Sequence, residues 1–267
     1  MKLFIQNFSS YVRNDEEIEL KKILKQRYGL DTRRQDNFIH LALYGGMLLK
    51  EKIKIDEDDE LYVTSGVGNI DIVQKTNTYM YEENQPLKLF DFINLLGNTT
   101  SYYIAKALGI KGKNIFQISD NFTYINTLVS VYASLMNSGK NAIICSIDLS
   151  SKPDEITKRV LEVSKNQEIA SSVNYQKLSI CDKNAIAMVE FDAKCYSLDE
   201  VLADVKVSDE NIAVSIRCKK INAKKPKKFF ETIPSFEINK AIKNQKDMIY
   251  IDCFNDKYKI LKLKILK

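Results

Sequence analysis

Histidine is almost missing. The 267-residue chain holds one, His40, which excludes a metal site built from several histidines. The five cysteines (Cys145, Cys181, Cys195, Cys218 and Cys253) have no metal-ligand spacing, and most lie in apolar, strand-like runs. Such cysteines read as buried, reduced thiols of a cytoplasmic protein, and no metal or cofactor is expected. No apolar run approaches the roughly 20 residues needed to span a bilayer, and residues 1–8 lack a signal-peptide pattern. A concentrated basic stripe is also missing. The net charge is +5, with 35 acidic residues interspersed among 40 basic ones, which argues against nucleic acid as a partner. Low-complexity segments and linkers are absent, so residues 1–267 are expected to form one domain. A hydrophobic share of 45% and a charged share of 28% fit a globular protein.

What is present centres on residues 90–148, which read as helix, strand, helix, strand. A helix over 99–108 is closed by Gly109, the residue best able to take a left-handed cap. Residues 115–118 are too short an apolar run for a helix and follow the turn at 111–114. Ser119, Asp120 and Asn121 then offer side-chain oxygens to cap the next helix, over 121–137. That helix places Ile125, Leu128, Val129, Tyr132, Leu135 and Met136 on one face and stops at Gly139. Residues 141–147 are almost continuously apolar, as in a strand covered on both faces. The unit is strand-helix-strand within a layered α/β domain.

The flanks are read in the same way. A strand is expected over 2–7, an amphipathic helix over 15–28, and a second helix over 33–49. The last is apolar on most sides beyond Phe38, as a buried helix would be. A short strand over 61–64 leads into the small-residue turn at 65–69, and a helix starts near Ile70. After Asp148, a helix within 150–166 has Pro153 in its first turn. Strands are expected over 185–191 and 212–217, with short helices over 198–202 and 235–242. A hairpin over 248–265 closes the chain. The run Lys219, Lys220, Lys224, Lys225, Lys227, Lys228 reads most simply as a solvated loop.

Gly66-Val67-Gly68 after a strand invites a phosphate-cradle reading. It lacks the third glycine of a dinucleotide fingerprint and the Lys-Ser/Thr pair of a P-loop, and a tight strand-to-helix turn accounts for it.

These pieces together resemble the first half of a β-ketoacyl synthase. The resemblance rests on the order and spacing of residues 64–69, 89–94, Asn98-Thr99, Leu108-Gly109-Ile110-Lys111-Gly112, the 115–118 strand, the 121–137 helix and the 142–147 strand. It spans about residues 30–150 and, more weakly, the chain's ends. It implies a thiolase-like layered α-β-α domain with mixed sheets and a reduced second half. The family places a cysteine nucleophile at the start of the buried helix, where amides lower its pKa and hold an oxyanion. Here that position falls on Asn121, and an amide cannot form the acyl thioester. The family's two histidines come from the C-terminal half, whereas His40 lies upstream and reads as a packed or surface residue. No catalytic residue carries over, and ordinary condensation is not expected.

Other groups are poor substitutes. Cys145 sits inside an apolar strand, where thiols are inert. Ser119 has no histidine to deprotonate it. Asp120 and Asp91 suit an acid/base pair, but a helix cap and a surface turn explain them equally. Asn121, flanked by Asp120 and Phe122, could hydrogen-bond an acyl carbonyl or a malonyl carboxylate, although an N-cap is the simpler role. Three functions follow from the resemblance: a non-condensing subunit beside an active synthase, an acyltransferase or decarboxylase acting on acyl thioesters, and a module binding acyl carrier protein. Carrier proteins are acidic, so the 219–228 lysines could meet one. The resemblance also implies a homodimer, or a heterodimer with a complete synthase, joined through Ile115, Phe116, Gln117 and Ile118. An apolar edge strand left bare would be an aggregation hazard.

Overall fold

A computed structural model describes residues 1–13, 19–150, 154–205, 211–223 and 225–266. Strand β1 (Lys2–Val12) is longer than its apolar start suggests. It is followed by α1 (Leu20–Tyr28) and α2 (Asn37–Lys50). The latter starts four residues later than the apolar pattern proposed, because Asp36 caps it by accepting a hydrogen bond from Ile39 N at 3.0 Å. Next come β2 (Glu60–Ser65), α3 (Ile70–Asn77) with a π-helical turn (Thr78–Glu82), α4 (Leu89–Leu95) and α5 (Gly97–Leu108). The organising stretch then runs through β3 (Asn114–Ile118), α6 (Thr123–Ser138) and β4 (Ala142–Asp148).

Beyond it lie α7 (Glu155–Val160), β5 (Glu168–Ile169), β6 (Ser172–Ser179), β7 (Ala187–Glu190), α8 (Leu198–Asp204) and β8 (Ile212–Val214). The last elements are β9 (Lys228–Phe229), α9 (Ile233–Lys243), β10 (Met248–Phe254) and β11 (Lys257–Ile265). Expectations for Asp15 at the first helix, for Pro153 and for Lys224 fall outside the described residues.

Nine strands form one mixed sheet in the order β3-β2-β4-β6-β1-β7-β11-β10-β8. β2 runs parallel to both β3 and β4, and β6 is antiparallel to β4. β1 joins the two halves: it pairs with β6 from Phe4 to Val12 and with β7 from Lys2 to Ile5, with a bulge between Ile5 and Asn7.

Alternation along the strands sorts side chains into separate cores. In the first half, Tyr62 and Ile144 face one core, while Leu61, Val63, Ile143 and Cys145 face another. α6 and α9 fill the first core together with residues of both half-sheets, such as Tyr250 and Leu261. α2 and α5 cover the opposite side of the first half. On the far side of the second half, Val201 of α8 packs with Val214, Ile251 and Ile260. Helices thus pack on both faces of the large mixed sheet, in keeping with the layered α-β-α domain that the resemblance implies.

Two further details differ from the sequence reading. Met136, assigned to the inner face of α6, is 56% exposed, while Val131 is fully buried; the inner face is turned slightly toward Tyr124 and Val131. Strand β6, SVNYQKLS, carries no apolar run and was not anticipated, yet all its residues are buried. Its polar groups are matched by partners. Gln176 accepts from Tyr124 Oη and donates to Asn239 Oδ1 at 2.7 Å, and Lys177 pairs with Asp59 at 2.9 Å.

Candidate functional site

The carboxyl ends of β2, β3 and β4 open toward one side of the molecule, the usual place for a site in an α/β sheet. Three segments meet there: the 65–69 turn, the 119–122 segment and Asp148. The last turn before α9, residues 229–232, closes over them.

The β3-to-α6 junction is a sharp elbow. Phe122 takes a left-handed backbone (φ 46°, ψ 27°) immediately before the helix, an outlier for a bulky residue and worth about 1–3 kcal/mol of strain. The capping role expected of Ser119, Asp120 and Asn121 is not realised, since no side chain caps α6. Their bonds stay inside the elbow. Ser119 Oγ donates to Asn121 O at 2.8 Å, Asn121 Nδ2 donates to Asp120 Oδ1 at 2.7 Å, and the Thr123 hydroxyl donates back to Ser119 O. Asp120 is exposed, Asn121 half-buried and Phe122 buried.

The space in front of α6 is taken by a pair that no sequence pattern joins. Glu231 Oε1 lies 3.2 Å from Thr123 Oγ1, whose one proton goes to Ser119 O, and Glu231 Oε2 lies 2.9 Å from Arg217 Nη1. A carboxylate beside the first residue of a helix is favoured by the helix dipole. Arg217 also donates to Asp120 O at 3.1 Å and to Leu161 O at 2.6 Å, and its guanidinium lies 5.2 Å from the rings of both Phe229 and Phe254. Both side chains of the pair are buried. Burial drives the Glu231 carboxyl well above the ordinary range, the Arg217 charge opposes this, and the charges of Asp252 and Asp148 add to the rise.

Two more buried carboxylates surround this pair. Asp148 Oδ1 accepts from Ser65 Oγ (3.1 Å) and Gly66 N (2.7 Å), and Oδ2 accepts from Thr232 N and Thr232 Oγ1 (2.8 Å each). Burial raises its pKa, and these hydrogen bonds resist the rise. Asp252 accepts from Cys253 N at 2.9 Å. Burial pushes its pKa up to about 6 against the opposing charge of Arg217. Lys259, also buried, donates to Asn126 Oδ1 at 3.0 Å and to Ala193 O at 3.1 Å, and lies 5.7 Å from the Phe122 ring.

Two amides of the Gly66-Val67-Gly68 turn are taken as well. Gly66 N is bound to Asp148, and Gly68 N donates to Ser65 Oγ at 2.9 Å. A Cβ on Gly66 would lie 2.3 Å from Glu231 Cβ. Residue 66 is glycine because another segment of the chain presses on it, and the Gly66 and Gly68 amides are already bonded within the protein.

The remaining expected residues lie elsewhere. His40 is buried in α2, its Nε2 3.4 Å from Thr32 O, and burial lowers its pKa. Cys145 is fully buried in β4, and burial pushes its thiol up to about 12. Asp91, read as part of a surface turn, is buried in α4 and paired with Lys75 at 2.9 Å. Within the basic run, Lys220 pairs with Asp256 and Lys228 with Glu168. Cys218 and Cys253 are buried free thiols in the third core.

At the rim of the sheet, β3 pairs with β2 alone and leaves its other edge bare among the described residues. Ile118 there is 55% exposed, whereas Phe116 packs inward near Phe38. Helices α4 and α5, which pack on one another, with α5 also touching β3, expose Leu89, Phe92, Leu96 and Tyr102; Met80 and Tyr81 of the π-helical turn are exposed as well. Exposed apolar side chains are thus gathered on neighbouring elements beside the open edge of β3.

No protein-family model and no curated protein matches the chain. Solved structures do. A chain of the ishigamide ketosynthase/chain length factor matches with a TM-score of 0.75 at 12% identity, over 100% of both chains. A chain from the complex of ketosynthase ApeO with its chain length factor ApeC from Xenorhabdus doucetiae gives 0.60 at 8%, over 98% of this chain and 99% of that one. The 3-oxoacyl-(acyl carrier protein) synthase III, FabH, of Pseudomonas aeruginosa PAO1 gives 0.54 at 12%, over 100% of each. At such identities the likeness is one of fold: the chain is built as a thiolase-like α/β protein, similar to ketosynthases and chain length factors.

Proposed function

We propose that this protein belongs with the β-ketoacyl synthase-like proteins of fatty-acid or polyketide-type acyl metabolism, does not itself condense, and acts as an accessory subunit beside an active synthase. The observation that carries the reading is the occupied elbow. The turn before α6 holds Asn121 and Phe122 and no thiol, and the protein's own Glu231–Arg217 pair fills the space before the helix. A condensing enzyme needs both a nucleophile and room for an acyl chain there. Asn121, at the nucleophile's place in the resemblance, gives one of its two amide hydrogens to Asp120, and an amide cannot take up an acyl group as a thiolate does. The bare edge of β3 and the apolar surface of α4 and α5 supply the face by which a partner subunit would be held.

A synthase-like partner is favoured over a second copy by the nature of the neighbours, two of which come from ketosynthase and chain length factor assemblies. Docking of carrier protein on the 219–228 lysines is the weaker reading, since acidic neighbours already pair with Lys220 and Lys228. The working picture is one domain over residues 1–267, in the cytoplasm.

The test is co-expression with a ketosynthase encoded nearby, read by size exclusion and native mass spectrometry. A stable 1:1 complex that dissociates in Ile118→Lys is expected, with intact mass showing no acyl adduct on this chain after exposure to malonyl and acyl thioesters. A covalent adduct, or turnover by the isolated chain that Asn121→Ala abolishes, would overturn the reading in favour of an acyltransferase or decarboxylase.

A further inference from the structure

A second place in the molecule has the opposite chemistry to the filled elbow. Where the N-termini of α2, α3 and α4 meet, a cleft of about 370 Å3 is lined by Gln35, Asp36, Asn69, Asp71, Asp91 and Asn94, with Phe90 and Lys75 also on its wall. Four buried side-chain atoms on this wall have no hydrogen-bond partner: Gln35 Oε1, Asn69 Oδ1, Asp91 Oδ2 and Asn94 Oδ1. All four are acceptors. Asn69, Asp91 and Asn94 are each at least nine-tenths buried, with exposures of 9%, 8% and 5%.

The three amides cannot be turned over to relieve this. Asn69 Nδ2 donates to Asp36 Oδ2 at 2.6 Å and to Asn94 O at 3.3 Å. Asn94 Nδ2 donates to Arg34 O at 3.2 Å, and Gln35 Nε2 donates to Asp31 O at 2.9 Å. Every one of these partners is an acceptor only, so a flip would set lone pair against lone pair. The oxygens therefore stay where they are, and buried acceptors held in this way call for a donor.

Charge points the same way. Asp36 and Asp71 add two carboxylates, and Asp71 makes no hydrogen bond or ion pair among the described residues. The Asp36 charge, after burial, raises the Asp71 pKa, while Arg13, which is not on the cleft wall, lowers it. Lys75 meets only Oδ1 of Asp91. Arg34 is also on the cleft wall, with its guanidinium stacked 4.4 Å over Phe90, so the three carboxylates of the wall face two cations and keep an acidic excess.

We propose that this cleft binds a small organic cation whose polar atoms are all donors, an aliphatic ammonium or guanidinium compound. A bare metal ion suits it less well. No group of three His, Cys, Asp or Glu side chains among the described residues could hold one, and the volume is that of a small-molecule site, within the usual range of about 300–1,000 Å3. The proposal is independent of the accessory-subunit reading: it uses none of the residues at the α6 elbow and none of the β3 edge.

The experiment is titration calorimetry of the full chain with agmatine, which carries both cationic groups, at constant ionic strength. Saturable one-site binding is expected, at least tenfold weaker in Asp71→Asn and lost in Asn94→Leu. Asp71 is half-exposed and unbonded, so its variant should keep the wild-type unfolding midpoint even if Asn94→Leu does not fold. Absence of saturable agmatine binding would overturn the proposal and leave the cleft to water. Equal affinity in wild type and Asp71→Asn would also overturn it, as would saturable binding of calcium chloride without binding of agmatine.

Discussion

The elbow before α6 and the edge at β3 are joined by a few residues of chain and are treated in opposite ways. At the elbow, Glu231, Arg217 and Asp148 are buried and bonded to one another's segments, and a glycine is needed to make room for them. At the edge, backbone and apolar side chains are left open. One region holds buried charge against its own partners, and the other leaves apolar surface uncovered.

The largest effect should come from breaking the elbow's ion pair from one side. Arg217→Leu leaves Glu231 buried without its cation and should cost about 3–5 kcal/mol in urea unfolding. The double variant with Glu231→Gln should recover much of that loss. A loss below about 1 kcal/mol would mean that the elbow is not the sealed core described. Gly66→Ala forces its Cβ into Glu231 and should cost about 1–3 kcal/mol.

Asp252 gives a pH signature. Its folded pKa of about 6 lies above the ordinary value of about 4, so the folded state binds the proton more tightly. Its contribution to stability is therefore present below about pH 4 and is lost as pH rises through about 6. Comparing urea midpoints near pH 5 and near pH 7, wild type should gain more on acidification than Asp252→Asn; identical shifts would remove the carboxylate from the account.

The edge predicts the reverse pattern. Ile118→Lys should change the stability of the isolated chain by no more than about 0.5 kcal/mol while abolishing subunit association on a sizing column. A soluble Ile118→Lys variant that still associates would sink the edge as the interface. Met136→Glu, on exposed surface away from both regions, should change neither within about 0.5 kcal/mol, and serves to calibrate the others.

The sequence announced most of the framework because apolar periodicity announces it. The 141–147 run, the inward face of α6 and the closing hairpin all came from residues whose burial is their main property. β6 escaped because its burial is bought with partners rather than with apolar side chains: Gln176 and Lys177 need Asn239 and Asp59, which lie about 60 and 120 residues away. The Glu231–Arg217 pair escaped for the same reason, since neither residue stands in a pattern and one follows a lysine-rich stretch that reads as loop. The capping expectation at residues 119–121 had the right residue types and the wrong geometry. The Thr123 hydroxyl turns back to Ser119 O, Phe122 takes the left-handed turn, and the short polar side chains bond within the elbow.

The bridging role of β1 has a consequence for synthesis. Its two neighbours are β6 and β7, residues 172–179 and 187–190, so β1 has no lateral partner until more than 150 further residues have been made. At translation rates of roughly 5–20 residues per second it waits about 10–40 s. During that interval β2, β3 and β4 can already pair with one another. Folding on the ribosome is thus divided: a parallel three-stranded nucleus can form early, and β1, although made before it, is stitched in late.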